Sequence, residues 1–77
     1  SVGDIILSSR AEAELIVERM TDIIDKYQVV SIADLYQMCG LPSSYIDNEW
    51  GWTTLQYIEV RQTREGYIID LPAAEAL

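Results

Sequence analysis

The sequence predicts a small α+β domain with winged-helix-like order, two helices leading to a short turn or helix and then a C-terminal β-hairpin. Three observations carry this. Arg10 to Tyr27 repeats apolar residues at helical spacing behind a capping signal. A second, shorter apolar stretch runs from Ser31 to a stop at Gly40 and Pro42. Two alternating stretches then flank a turn at Thr63 to Gly66.

Each element has a local reason. Asp4 to Leu7 is an apolar run before two serines and is expected as a short N-terminal strand. Ser9 and Glu12 have capping-box spacing, so the first helix starts at Arg10. Ala13, Ile16, Val17, Met20, Ile23, Ile24 and Tyr27 form its apolar face. Val29 and Val30 are an extended connector. Ser31 and Asp34 repeat the capping spacing for the second helix, with Ile32, Leu35, Tyr36 and Cys39 facing inward. Gly40 fits the left-handed position after a helix end, and Pro42 blocks continuation. A polar stretch, Ser43 to Glu49, leads to a Trp50-Gly51-Trp52 loop, whose two rings are expected to point in different directions. Thr53 to Gln56 is expected as one helical turn with Leu55 inward. Tyr57 to Gln62 and Tyr67 to Leu71 form the hairpin, and Ala73 to Leu77 reads as a weak tail.

Composition narrows the class. The 77 residues are expected to form a single domain. Hydrophobic residues make up 49%, which is ordinary for a folded chain. One cysteine makes no internal disulfide, and the absence of histidine removes the usual zinc ligands. Most large apolar side chains are needed for the core of so short a chain.

VSIADLYQMCGL (Val30 to Leu41), Asp47, WGWTTL (Trp50 to Leu55) and GYIIDLP (Gly66 to Pro72) together resemble a family of small bacteriophage-encoded proteins from Gram-positive hosts. LSSRAEAE (Leu7 to Glu14) extends the resemblance to most of the chain. The family is largely of unassigned function. The resemblance implies a phage or prophage origin and a domain trimmed from a longer protein. The family's hairpins tend to be basic, whereas this one keeps only Arg61 and Arg64. No signal peptide opens the chain and no apolar run approaches the ~18 residues of a membrane span, so a cytoplasmic protein of the bacterial host cell is expected.

No constellation points to catalysis, and a non-enzyme without cofactors is expected. Carboxylates fall on solvent-facing positions. Cys39 lies on an apolar helix face with no basic residue from Tyr27 to Val60 to activate it. The glycines are too scattered for a phosphate loop. Asp47-Asn48-Glu49 lacks the further ligands of a calcium loop, so Asp47 reads as a turn cap.

Charge decides between partners. Five basic against 13 acidic residues leave a net charge of −8. The segment that would enter a DNA groove, Ser43 to Gln56, holds Asp47 and Glu49 and no cation. A winged-helix-like DNA-binding or DNA-metabolism accessory domain acting through Arg61 and Arg64 is therefore the second reading. The first is a protein partner, phage or host. It would be met by Tyr45, Asp47, Glu49, Trp50 and Trp52, together with an acidic stripe of Glu14, Glu18, Asp22 and Asp25 on the first helix. The other reading of that stripe is a solvated face that only keeps a small protein soluble. Self-association into a homodimer through the tryptophans is a further outcome left open.

Overall fold

The computed structural model describes residues 2–77. It is a small α+β domain with two helices, a β-hairpin and a separate three-stranded antiparallel sheet. The first helix, α1, spans Arg10–Tyr27, the range its periodicity predicts. Ser9 Oγ accepts the Glu12 N–H at 3.1 Å. Glu12 reaches back one residue further than a capping box requires: Ser8 N–H and Ser8 Oγ donate to its carboxylate at 3.3 and 2.7 Å. The helix ends on Gln28 in a left-handed conformation (φ +75°), its N–H bonded to the Ile24 carbonyl. Neither glycine nor asparagine marks that stop in the sequence.

The chain then runs extended through β1, Val30–Ser31, directly into α2, Ile32–Met38. Here the capping box is complete. Asp34 N–H donates to Ser31 Oγ, and Ser31 N–H donates to Asp34 Oδ2, both at 3.0 Å. The exit is a Schellman motif: Leu41 N–H bonds to the Tyr36 carbonyl at 2.8 Å and Gly40 N–H to Gln37 at 3.1 Å. Gly40 supplies the positive φ of +70° that this closure requires.

Four expectations are corrected. Val2–Asp4 is a 3-10 turn, and the expected N-terminal strand shrinks to one bridge, Leu7 against Tyr67, with N···O distances of 2.8 and 2.9 Å. Thr53 to Gln56 is not helical. A single isolated turn is unstable because helix nucleation is unfavourable, and Thr53 is bonded to Glu75 instead, although Leu55 does pack on the core. Trp50-Gly51-Trp52 is not a loop but strand β2, Trp50–Trp52. The hairpin follows as β3, Glu59–Gln62, and β4, Tyr67–Asp70. The supposed tail forms β5, Glu75–Ala76.

Both flanking strands run antiparallel to β2, giving the order β1-β2-β5. Register sets Val30 opposite Trp52, and Trp50 opposite Ala76. The hairpin is a second sheet with Val60 opposite Ile69. Its turn is tied by Thr63, whose N–H and Oγ1 both bond to Gly66. A side chain at Gly66 would collide with the Leu7 carbonyl, so the Leu7 bridge and the glycine belong together.

The core sits between the buried stripe of α1 (Ala13, Ile16, Met20) and Leu7, Val30, Leu35, Trp52 and Ile69. Met20, Val30 and Leu35 are its largest fully enclosed side chains. Tyr27, expected on the apolar face, projects beyond the core and is exposed, with Lys26 Nζ 5.3 Å from its ring centroid. After α2 comes a 3-10 turn, Tyr45–Asn48, in the place where a winged helix would carry its groove-reading helix.

Candidate interaction surface

Strand geometry separates the two tryptophans by depth rather than by direction. Positions 50 and 52 share one face of β2, which corrects the expectation of diverging rings. Trp52 lies opposite Val30 and is 2% exposed. Its indole N–H donates to the Pro72 carbonyl at 2.8 Å. Trp50 lies past the point where β1 turns into α2, so β1 gives it no neighbour, its cross-strand partner is the small Ala76, and it stays 42% exposed. Of the pair, only Trp50 offers its ring to a partner.

The 3-10 turn beside β2 presents Tyr45 (80% exposed) and Ile46 (54% exposed). Asp47 shapes this turn. Its Oδ2 accepts from Ser44 N–H at 2.8 Å and Ser44 Oγ at 3.2 Å. Asp47 is therefore a positioning residue for Tyr45 and Ile46. Glu49 is exposed one residue before β2. Glu75 Oε1 accepts from Thr53 N–H at 3.3 Å and Thr53 Oγ1 at 2.9 Å, fastening β5 to the end of β2. Neither Lys nor Arg occurs from Tyr27 to Val60 or after Arg64, so the segments that form this surface contribute no cationic side chain of their own.

The acidic stripe lies elsewhere. Glu14, Glu18, Asp22 and Asp25 are all exposed along α1, and nothing brings them together with the Trp50 surface into one site. The hairpin arginines also part company. Arg61 makes a two-pronged pair with Asp70 diagonally across the hairpin, Nε to Oδ2 at 3.1 Å and Nη2 to Oδ1 at 3.3 Å. Arg64 is exposed at the turn. Arg10 is held against the hairpin, donating to the Val60 carbonyl at 3.2 Å with its guanidinium 5.3 Å from the Tyr67 ring centroid.

Cys39 half-lines a cleft of about 450 Å³ between the N-terminal segment and the end of α2, beside Ile5, Tyr36 and Leu41. Burial, and then the Glu12 carboxylate, push its thiol above the ordinary cysteine value. Thiolate is then scarcer than in a free cysteine at any pH below both values. Alkylation of Cys39 by iodoacetamide should thus be slower than that of an unstructured cysteine peptide at neutral pH. Its rate–pH curve should have a midpoint displaced upward, and a midpoint at or below the peptide's would refute this.

Two features escaped the sequence reading. Tyr57 is 95% exposed with a positive φ of +60°, rare for a bulky side chain. The outer edge of β5 is the other. Among the described residues, no group of three His, Cys, Asp or Glu side chains is arranged to hold a metal. No described helix is long and apolar enough to cross a membrane. No protein-family model, curated protein or solved structure matches this chain.

Proposed function

We propose that this chain is a non-catalytic, phage-derived protein-interaction domain acting in the bacterial cytoplasm on a phage or host protein. The observation that carries the reading is the exposure of Tyr45, Ile46 and Trp50 on chain segments that hold carboxylates and no Lys or Arg. Large apolar side chains held in water beside carboxylates favour a partner with complementary apolar and basic groups. Glu49 forms part of the rim, and the α1 stripe of Glu14, Glu18 and Asp22 adds long-range attraction for the same kind of partner. What favours protein over DNA is the disposition of the cations: Asp70 engages Arg61, and Arg10 is turned onto the hairpin.

The test sets two titrations side by side. Labelled duplex DNA at low salt is expected to leave the domain unbound. Immobilised wild-type domain is expected to retain a basic protein from phage-infected cells that Trp50→Ala, with unchanged circular dichroism, does not. Salt-steep DNA binding that weakens on Arg64→Gln would replace this reading with the nucleic-acid one.

A further inference from the structure

We propose that the outer edge of β5 is the docking line, where an extended segment of the partner, alternating apolar with Lys or Arg residues, adds as a fourth strand. This rests on the interaction reading above and gives it a geometry. Leu77 N–H donates to the Glu49 carbonyl at 2.8 Å, in register with the Trp50–Ala76 and Gly51–Glu75 pairs. Bonded and non-bonded pairs alternate along an antiparallel ladder. Positions 75 and 77 therefore bond to Gly51 and Glu49, and Ala76 turns its N–H and C=O away from that strand. No described residue meets these two groups, and the sheet order ends at β5. Such an edge is a template for another strand unless lysine, proline or a bulge blunts it. Glu75–Ala76 carries no lysine or proline, and only its shortness restrains pairing.

The faces on either side specify the incoming side chains. Trp50 shares one face with Ala76, while Glu49 and Glu75, with Leu77 between them on the edge, occupy the other. An added strand alternates in the same way, so its apolar residues lie toward Trp50 and its cations toward Glu49 and Glu75. A second copy of this chain is the wrong occupant. It would set the same carboxylates against each other, in molecules that each carry a net charge of −8.

The experiment follows the Ala76 backbone amide and the Trp50 indole by NMR during titration with short synthetic peptides. A Lys–Val alternating peptide is expected to shift both signals, with binding at least ~10-fold weaker at near-physiological than at low salt. A Glu–Val peptide is expected to shift neither. The Lys–Val peptide N-methylated at alternate residues keeps its charge but cannot pair, and its affinity should fall at least ~10-fold. Ala76→Pro should remove binding of the unmodified peptide without loss of the fold, because that N–H serves no internal bond. Equal binding by the N-methylated peptide would overturn strand addition while leaving the interaction reading intact. Equal binding by the Glu–Val peptide, or none by the Lys–Val peptide at low salt, would overturn the proposed partner chemistry. The capture experiment above stands apart from all of these outcomes.

Discussion

Trp52→Ala is expected to destabilise the domain by about 3–5 kcal/mol, whereas Trp50→Ala should cost about 1 kcal/mol or less. The two residues are the same type, two positions apart on one strand face, so the contrast isolates burial. Trp52 is enclosed by the core and makes a 2.8 Å hydrogen bond to the Pro72 carbonyl. Removing it leaves a ring-sized void that a small core fills poorly. It also releases the segment between β4 and β5. A domain of this length has a total stability of roughly 4–12 kcal/mol, so the loss is a large part of the whole. Trp52→Phe should fall between, because it keeps most of the apolar volume and loses the N–H donor to the part-buried Pro72 carbonyl. Urea denaturation read by circular dichroism measures all three. Equal midpoint shifts for Trp50→Ala and Trp52→Ala would show that the burial difference is not present in solution. The same data guard the functional reading, since a lost partner means something only for a variant that is still folded.

The helices were legible because their signals are local. Ser9 with Glu12, Ser31 with Asp34, and Gly40 before Pro42 each act within a turn of chain, and each appears where its spacing places it. The hairpin was legible for the same reason, through Thr63 and Gly66. The three-stranded sheet was not. Glu75–Ala76 has poor intrinsic strand preference and exists as β5 only because β2 offers it an edge. Trp50-Gly51-Trp52 looks like a loop in isolation because glycine weakens a strand. Its pairing partner, β1, is two residues of connector lying 20 and 22 positions earlier in the two pairs. The candidate surface divides along the same line. Its charge could be counted from composition, and Asp47 could be read as a cap. Which tryptophan is covered depends on where β1 stops, and that is a property of long-range register.

Gly51→Ala is expected to cost at least ~3 kcal/mol or to prevent folding. A β-carbon at position 51 would collide with the Val30 carbonyl oxygen and would stand 2.7 Å from Ser31 Cα and 2.9 Å from the Val30 carbonyl carbon. All three are backbone atoms, so no rotamer change relieves the contact. Gly51 faces Ser31 in the ladder, and Ser31 is at once the last residue of β1 and the N-cap of α2. Moving β1 aside would therefore disturb the 3.0 Å bonds between Ser31 and Asp34 as well as the strand pairing. Gly3→Ala is the matched control, because nothing lies within 4 Å of its would-be β-carbon and no positive φ is imposed. There the smaller entropy of the unfolded alanine chain should leave stability unchanged or raise it by up to ~1 kcal/mol. Thermal denaturation of the two variants separates a steric demand from a generic effect of glycine replacement. A Gly51→Ala domain melting within a few degrees of wild type would mean that β1 and β2 lie farther apart than this packing has them. The close approach of β1 at Gly51 would then no longer account for a glycine between the two tryptophans.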